Sequence, residues 1–347
     1  MITPFKTIPL HEIEPRIVSL GYPRYRAKQL IEWVYKKGVS SYEEMNNIPK
    51  EMRERLSVEY PLFSTKIIDK QISCDGTRKY VFEYFDGSCV EAVGMPSLSK
   101  KGPQHLTVCF STQIGCAMAC AFCATGTQGL SRNLSCGEMI DQLLLVQKDF
   151  GIRISNVVSM GQGEPFQNYD AVLEAMNFFN SKAGFEIGAR HMTISTCGIL
   201  SGIKKLSQDK HQYTLAISLH SAIQEKRDKL MPRCANMPLF ELKNELISYI
   251  QATNRRVSFE YSMIKGFNDS EKDLYALQNY CDDLLCHVNL IPINSVSHSP
   301  FQPSSKQTLK YWVEALNASG IETTIRNSRG SDIDGACGQL INKKNVG

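Results

Sequence analysis

From about residue 105 onward, strand-like apolar runs alternate with stretches of helical periodicity. Repetition of this kind builds a parallel sheet covered by helices, and six units suit an open barrel. We therefore predict an α/β fold, a partial (β/α)6 barrel, with functional groups at the carboxyl ends of its strands. The predicted strands are 106–110, 156–160, 191–196, 213–219, 256–261 and 287–292, and the predicted helices are 136–150, 168–182, 199–208, 239–252 and 270–284.

The residues before this repeat have two other patterns. Apolar residues recur at helical spacing from Leu30 to Tyr35, Gly38 follows as a stop signal, and Pro49 marks the first turn of another helix. Further on, a period of two surrounds the Asp-Gly pair at 86–87, which is a strong signal for a β-hairpin. We predict a helical accessory domain (1–60) that binds RNA, a β-hairpin linker (61–100) and a barrel (101–347).

Positive side chains are frequent in the helical domain, and they could line a face that contacts RNA phosphates. Glutamates are interleaved with them, so a solvated amphipathic surface explains the same pattern. The net charge of +4 permits a nucleic-acid partner but does not require one. The positive residues are Arg24, Arg26, Lys28, Lys36, Lys37, Lys50, Arg53 and Arg55.

Three cysteines, Cys116, Cys120 and Cys123, are separated by three and then two residues. Structural zinc sites are normally closed by four ligands. Iron–sulfur clusters are also ordinarily closed by four cysteines, so three thiolates on one loop would leave one iron open to a small molecule. From this loop alone, half of a zinc site or a group of packed thiols remains the alternative, because a fourth ligand can come from elsewhere in the chain.

Twelve cysteines in 347 residues are too few for a secreted disulfide scaffold. The start of the chain has no signal-peptide pattern, and no run approaches the ~18 apolar residues of a membrane span. We expect a cytoplasmic monomer with no membrane partner. Seven cysteines have contexts in which a small apolar residue would serve as well, which indicates packing. These are Cys74, Cys89, Cys136, Cys197, Cys234, Cys281 and Cys286.

Polar groups and glycines follow several predicted strands. The segment 161–165 (Gly-Gln-Gly-Glu-Pro) combines glycines, which let a ligand approach the backbone, with a carboxylate that can accept a ligand ammonium group. Three further strands end in short polar groups, at Ser195, at the Ser-Leu-His segment 218–220 and at Asn294. Each of these alone is explained by capping of a strand end, but together they could hold a ribose and a carboxylate at the barrel mouth.

Two further cysteines have unusual positions. Cys337 lies close to Gly335 and Gly338 in a segment typical of a mobile loop, so its thiol should be accessible. Cys109 precedes the three-cysteine loop by seven residues. The two thiols form a potential redox pair across the active site.

Together these motifs resemble those of the RlmN/Cfr class of radical S-adenosylmethionine RNA methylases, over nearly the whole chain. The matching segments include 116–123, 129–134, 160–165, 218–220, 287–292 and 332–340. The resemblance implies a small RNA-binding domain followed by a radical barrel, with a 4Fe–4S cluster and S-adenosylmethionine as cofactors.

The resemblance also implies roles for individual residues. Cys337 would take a methyl group from one S-adenosylmethionine, and the cluster on the three-cysteine loop would cleave a second to a radical that activates this methyl for addition to adenine. Glu91 would remove the ring proton as general base. Cys109 would attack the sulfur of Cys337 and release the product, leaving a disulfide. The residues implied for cofactor binding are Gly163, Glu164, Ser195, Ser218, Leu219, His220 and Asn294.

Two positions depart from the carbon-2 pattern, Gln162 and Ser221, and Ser221 is nearer to the carbon-8 branch. Segments such as 188–191 and 290–294 resemble the carbon-2 branch, the RlmN type. We therefore expect methylation of adenine carbon 2 in 23S rRNA, at the peptidyl transferase centre, and in the tRNA anticodon loop. A flavodoxin-like electron donor and a disulfide reductant would be partners. The alternatives are a carbon-8 methylase of 23S rRNA that confers antibiotic resistance, and a non-catalytic RNA-binding protein stabilised by zinc.

Overall fold

The computed structural model describes residues 3–97, 104–294, 296 and 299–341. The helices are α1 (Leu10–Ser19), α2 (Tyr25–Ile31), α3 (Lys50–Glu59), α4 (Cys136–Phe150), α5 (Tyr169–Asn180), α6 (Leu200–Asp209), α7 (Gln224–Leu230), α8 (Leu239–Thr253), α9 (Glu271–Cys281) and α10 (Lys306–Ala318). The strands are β1 (Lys66–Ile72), β2 (Arg78–Glu83), β3 (Cys89–Pro96), β4 (Leu106–Cys109), β5 (Gln113–Gly115), β6 (Leu130–Asn133), β7 (Ile154–Ser159), β8 (Met192–Thr196), β9 (Thr214–Ser218), β10 (Val257–Met263), β11 (Cys286–Pro292) and β12 (Thr323–Ile325).

Ten of the strands in the described chain form one sheet, in the order β1-β2-β3-β4-β7-β8-β9-β10-β11-β12. Neighbours from β4 to β12 are parallel, and helices lie between them along the chain. This is the predicted partial barrel, and all six predicted strands are present. The carboxyl ends of its strands therefore meet at one mouth.

Two features of the sheet go beyond the prediction. The segment predicted as a hairpin is a three-stranded antiparallel meander, and its last strand joins the barrel through the pairing of Val93 on β3 with Cys109 on β4. A seventh parallel strand, β12, extends the sheet beyond β11. The domain boundary that we predicted at residue 100 lies outside the described residues.

Helix α4 shows how local sequence sets an element that supports the site. Ser135 Oγ accepts a hydrogen bond from the Glu138 N–H, and the Glu138 carboxylate accepts one from the Ser135 N–H, which completes a capping box. The helix ends at Gly151, whose φ of +65° is a left-handed conformation that glycine adopts without strain. Both ends coincide with the predicted helix.

The helical start of the chain packs directly on the barrel. The rings of Tyr35 and Phe178, a residue of α5, meet edge to face with centroids 5.9 Å apart. Lys6 Nζ lies 2.7 Å from a carboxylate oxygen of Asp141 on α4. Both regions contribute to one hydrophobic core, so the helical region is held in a defined position. No helix in the described part of the chain is long and apolar enough to cross a membrane.

Several of the predicted RNA-contacting residues have acidic neighbours in the helical region. Arg24 Nε donates to Glu14 at 2.7 Å, and Lys37, Lys50 and Arg55 lie within 4 Å of Glu32, Glu54 and Glu59. Exposed pairs of this kind contribute little to stability and can exchange partners. Lys28 and Lys36 are exposed. The RNA-binding face therefore stays a prediction.

Candidate active site

The three-cysteine loop begins and ends at a two-stranded ribbon, because β5 pairs with β6 on either side of it. The Cys116 N–H donates to the carbonyl of Gly129 at 2.7 Å. Gly115 has a φ of +75°, and a Cβ there would lie 2.0 Å from the Gly129 oxygen, so this close approach requires glycine. The two ends of the loop are thus held together by the β5–β6 pair.

A cavity at the carboxyl ends of the parallel strands collects most of the predicted site residues. Besides these residues it is lined by polar groups such as Thr196 and Ser262 and by the apolar side chain of Met231. The sequence-predicted residues that line it are Cys116, Cys120, Cys123, Gly163, Glu164, Ser195, Ser218, His220, Asn294 and Cys337.

The three loop cysteines are half-buried at the cavity wall. Burial raises the pKa of Cys116 to about 12, and burial also raises the pKa values of Cys120 and Cys123. Such thiols stay protonated until a metal centre supplies positive charge. Among the described residues, no group of three or more His, Cys, Asp or Glu side chains is placed to hold a single metal ion. An iron–sulfur cluster takes its thiolates on separate irons, so a set of soft donors along one loop fits this group.

Glu164 is buried beside the loop. Its carboxylate oxygens accept hydrogen bonds from the backbone N–H groups of Phe166, at 3.0 Å, and Cys197, at 2.8 Å. Burial raises the pKa of Glu164, and the hydrogen bonds to Cys197 and Phe166 offset part of this effect. At Gly163, φ is +105° and a Cβ would lie 2.7 Å from the side chains of Thr112 and Gln113, so only glycine fits. Glu164 is thus an oriented carboxyl group at the cavity wall.

His220 is a buried neutral ring. Burial, followed by the charge of Arg227, lowers its pKa to about 3. Its Nδ1 lies 3.1 Å from the Ser262 N–H and accepts this hydrogen bond, which assigns the ring proton to Nε2. The His220 ring also meets the Phe122 ring edge to face at 4.6 Å, which connects strand β9 to the cysteine loop.

The other predicted cofactor-binding residues differ in their surroundings. The Ser195 N–H donates a hydrogen bond to the Ser159 hydroxyl at 3.2 Å. Ser218 is half-buried at the end of β9. Leu219 is fully buried in the core, and its N–H donates to the carbonyl of Glu260 at 3.1 Å. Only its backbone could therefore serve a cofactor.

The loop that carries Cys337 is anchored on the cysteine loop, in contrast to the mobile segment that we predicted. Ala124 N–H donates to the Gly338 carbonyl at 2.7 Å, and Thr125 Oγ1 donates to the Leu340 carbonyl at 2.7 Å. Asn294 Nδ2 donates to the carbonyl of Cys337 at 3.1 Å. The thiol of Cys337 is nevertheless exposed, as expected.

A second cavity adjoins the first and contains the other predicted thiol. Cys109 lines it together with Val93, Met95 and Cys337. Cys109 is buried, and burial followed by the charge of Cys337 raises its pKa to about 12. Cys337 lines both cavities, so this residue lies between the cysteine loop and Cys109.

Glu91, the predicted base, is buried on β3. Glu91, Val93 and Met95 are spaced two residues apart along the strand, so their side chains lie on the same face of the sheet. Val93 and Met95 line the second cavity, so this is the face that borders it. Its N–H donates to Gln162 Oε1 at 2.9 Å, and Lys79 Nζ lies 3.5 Å from its carboxylate.

The structure also places residues in the site that we did not predict. Arg326 lines both cavities, and Glu260 lines the first. Arg326 directly follows β12, and a residue after a parallel strand is a candidate for the barrel mouth. This signal was missed because β12 itself was not predicted. Of the seven cysteines interpreted as packing, six are buried, whereas Cys74 is exposed.

Known proteins match this chain in both regions. A family model for the ribosomal RNA large subunit methyltransferase N-terminal domain matches residues 8–60, and a Radical SAM superfamily model matches residues 110–277. A probable dual-specificity RNA methyltransferase RlmN from Alkaliphilus metalliredigens is 44% identical over 338 residues, covering 97% of this chain and 94% of the relative. A protein of the same name from Clostridium novyi is 44% identical over 332 residues, covering 95% of each chain.

A solved structure has the same architecture. The crystal structure of a radical SAM methyltransferase from Sphaerobacter thermophilus has a TM-score of 0.89 and 38% identity, over 97% of this chain and 99% of that one. Similarity at this level spans the helical region, the meander and the barrel. The radical SAM family uses a 4Fe–4S cluster and S-adenosylmethionine, and the donor set around the cavity fits both groups. A non-catalytic zinc protein is therefore the wrong alternative, and the chain belongs to the RlmN family of radical S-adenosylmethionine RNA methyltransferases.

Proposed function

We propose that this enzyme methylates carbon 2 of adenosine, in 23S rRNA at the peptidyl transferase centre and in the tRNA anticodon loop. The observation that supports it best is the position of Cys337, an exposed residue that borders both the cavity of the cysteine loop and the cavity of Cys109. A methyl carrier needs access to a donor on one side and to a resolving thiol on the other. The relatives named above are called dual-specificity enzymes, which supports two RNA substrates.

Adenine carbon 2 is a ring carbon without a usable lone pair, so polar attack on a methyl donor is not open to it. When bound, the cluster and S-adenosylmethionine supply the one-electron chemistry that this carbon requires. Cys116, Cys120 and Cys123 would hold the cluster. The residues that would bind S-adenosylmethionine are Gly163, Glu164, Ser195, Ser218, Leu219, His220 and Asn294.

The residues proposed to bind S-adenosylmethionine include hydrogen-bond acceptors and donors that suit the amino acid part of this ligand. The Glu164 carboxylate is oriented by two backbone donors, so it can accept an ammonium group without reorganising. His220 is neutral at ordinary pH because burial lowers its pKa to about 3, and the hydrogen bond from the Ser262 N–H to Nδ1 leaves the ring's one proton on Nε2. Asn294 reaches the backbone of Cys337 and so connects the ligand set to the methyl carrier.

Three residues would perform the chemistry on the RNA side. Cys337, as a thiolate, takes the methyl group and later joins the base through that carbon. Glu91, on the face of β3 that borders the second cavity, removes the ring proton. Cys109 then attacks the Cys337 sulfur, which frees the methylated base and leaves a disulfide for a cellular reductant to reopen.

The remaining partners follow from this cycle. A flavodoxin-like protein would supply the electrons, and the enzyme would work as a monomer in the cytoplasm, where disulfide reductants are present.

The two departures from the carbon-2 pattern have local structural explanations. Ser221 is fully buried, and its hydroxyl bonds to the backbone of Ile223 just before α7. The Gln162 side chain accepts the Glu91 N–H at 2.9 Å and lies 3.4 Å from Gln128. Each side chain serves its own turn or strand end, so neither requires a change in the methylated carbon.

Mass spectrometry of nucleosides from digested RNA tests the proposal. Cells that lack their own methylase and express this enzyme should accumulate 2-methyladenosine in 23S rRNA and in tRNA. Cells that express the Cys337→Ala variant are the matched control and should accumulate none. Detection of 8-methyladenosine instead would establish the carbon-8 alternative.

A further inference from the structure

Arg227, on α7, is a fully buried cation with very few hydrogen bonds. Its Nη2 donates to the carbonyl of Cys197, a residue that follows β8 and lines the cavity of the cysteine loop. Its Nε and Nη1 have no hydrogen-bond partner within the described chain. Burying a guanidinium in this way is costly, so its presence calls for an explanation other than stability.

The backbone of Cys197 joins Arg227 to Glu164. The Cys197 carbonyl accepts the hydrogen bond from Arg227, and the Cys197 N–H donates to Glu164 Oε2 at 2.8 Å. The other carboxyl oxygen, Oε1, accepts a local hydrogen bond from the Phe166 N–H at 3.0 Å. The bond from Cys197 is therefore the one that holds the carboxyl group of Glu164 against the end of the neighbouring strand, β8.

The turn that contains Cys197 has few other supports. Thr196 Oγ1 accepts a hydrogen bond from the Gly198 N–H at 3.1 Å. Gly198 has a φ of +108°, and a Cβ there would lie 3.2 Å from the Leu242 side chain, so the turn needs glycine. Cys234 Sγ lies 4.0 Å from the Cys197 carbonyl oxygen, but a thiol is a weak donor. Arg227 is thus the strong partner that fixes the direction of the Cys197 backbone.

Helix α7 also contacts the loop that would hold the cluster. The carbonyl of Leu230, the last residue of α7, accepts a hydrogen bond from the Ala121 N–H at 2.9 Å. Ala121 lies between the second and third cysteines of that loop. One short helix therefore touches both the cysteine loop and the turn that orients Glu164.

We propose that Arg227 is a positioning residue, which holds the backbone of Cys197 so that the carboxyl group of Glu164 faces the ammonium group of S-adenosylmethionine. It acts through Cys197 and not by contact with the cofactor. This inference rests on the role of Glu164 in the proposed function.

Ligand affinity tests this role without relying on turnover. S-adenosylhomocysteine carries the ammonium group but no transferable methyl group, and its deaminated analogue carries hydrogen in place of the ammonium group. The dissociation constants of both are measured by calorimetry on the anaerobic holoenzyme without RNA. We expect Arg227→Met to reduce the preference for S-adenosylhomocysteine over the analogue about tenfold, because the ammonium group loses its oriented acceptor. Iron content and visible absorption should stay at the wild-type level.

A second variant and a control accompany Arg227→Met. Arg227→Lys keeps the positive charge and a donor on a shorter side chain, so it should reduce the preference only about threefold, and it decides the question if Arg227→Met does not fold. Arg233→Met, at an exposed arginine later in the chain, should leave both affinities unchanged. An unchanged preference in the Arg227 variants would overturn the proposal, whether both ligands bind as before or both are weakened equally. Equal weakening would mean a displaced cavity wall.

Glu164→Gln distinguishes this inference from the proposed function. This variant should itself lose the preference for the ammonium group, and adding Arg227→Met to it should cause no further loss, because both act on one contact. If Glu164→Gln keeps the preference, the proposed role of Glu164 is wrong and this inference falls with it. If Glu164→Gln loses the preference and Arg227→Met does not, only the present inference fails.

Discussion

Lys79 Nζ lies 3.5 Å from Glu91 Oε1, and both side chains are almost completely shielded from solvent. They are diagonal neighbours on adjacent strands, because Lys79 pairs with Val93 and Glu91 pairs with Val81. A buried ammonium at this distance favours the charged form of the carboxylate, which is the form that a general base needs. The meander therefore carries a paired acid–base unit beside the second cavity.

Replacing Lys79 by Met should disable the proposed base while leaving Glu91 in place. Without Lys79, the buried carboxylate loses a positive neighbour that favours its charged form, so ring deprotonation should slow after the adduct has formed. We expect RNA-linked protein on denaturing gels and a loss of about 3–5 kcal/mol in unfolding free energy from the broken buried pair. Lys66→Met, at an exposed position of β1, is the control. Normal turnover by Lys79→Met would contradict this role.

The three loop cysteines should be individually required for the cluster. Replacing Cys116, Cys120 or Cys123 by Ala leaves two anchored irons, so iron content, broad visible absorption and methylation should all be lost. Cys286→Ala is a matched control, since this thiol is buried at the amino end of β11. If the control lost its iron as the loop variants did, the ligand assignment would be untenable.

Cys109 and Cys337 should fail in different ways. Cys337→Ala removes the methyl carrier, so neither protein nor RNA receives a methyl group and no adduct forms. Cys109→Ala keeps the carrier but lacks the resolving thiol, so it should accumulate RNA joined to Cys337, visible as a nuclease-sensitive shift on a denaturing gel. If the Cys109→Ala enzyme turned over normally without trapped RNA, Cys109 would have only a packing role.

The parallel part of the fold was predictable because its strands lie inside the protein. All seven residues of β10 are buried, and apolar residues occupy every second position from Val257 to Met263, so the sequence shows a regular strand pattern. In β12 only one of three residues is buried, which leaves no such signal. The meander was predicted as a hairpin because β1 is mostly exposed and shows no clear apolar alternation, and the pairing of β3 with β4 is a contact that no local pattern encodes.

The same distinction applies to the site. The cysteine loop and the segment around Glu164 stand next to strands with clear local patterns, and they were identified from sequence. The position of Arg326 in the site depends on the pairing of β12 with β11, and the contact of Lys79 with Glu91 depends on the register of β2 against β3. Both arise only when distant parts of the chain meet, so they could not be inferred from residue order.

The helical region offers a test of RNA binding through salt dependence. Charge reversal at the exposed residues Lys28 and Lys36 should weaken RNA binding and make it less sensitive to salt, because each phosphate contact releases condensed counterion. We expect the logarithmic salt slope to decrease by about 0.7–0.9 for each lost contact. Lys310→Glu on α10, an exposed position in the barrel region, is the control. An unchanged slope would assign the helical region a purely structural role.

Asp149 should make stability depend on acid pH. Burial raises the pKa of Asp149, but hydrogen bonds from Lys70, Tyr80 and Arg78 outweigh this and lower it to about 2. The folded state therefore binds this proton less readily than the unfolded chain. The contribution of the Asp149 carboxylate to the free energy of unfolding is complete above its ordinary pKa of 3.8, and it disappears as the pH falls toward about 2.

Asp149→Asn should lose on the order of 2 kcal/mol near neutral pH. Thermal unfolding midpoints measured at decreasing pH should show the difference from wild type shrinking below about pH 4. Asp170→Asn, at a side chain that is 92% exposed, should show little difference at any pH. A constant deficit for Asp149→Asn down to the lowest pH would contradict the charge-based explanation.

The hydrogen bond from Thr125 to the Leu340 carbonyl joins positions 215 residues apart, and Ala124 is joined to Gly338 in the same way. At Gly338, φ is +81° and a Cβ would lie 3.1 Å from the Phe122 carbonyl oxygen, so the contact depends on glycine at this position. The two segments should consequently be inherited together. A chimaera that takes its C-terminal tail from a distant relative should keep the thiol in register only if it takes the relative's cysteine loop as well.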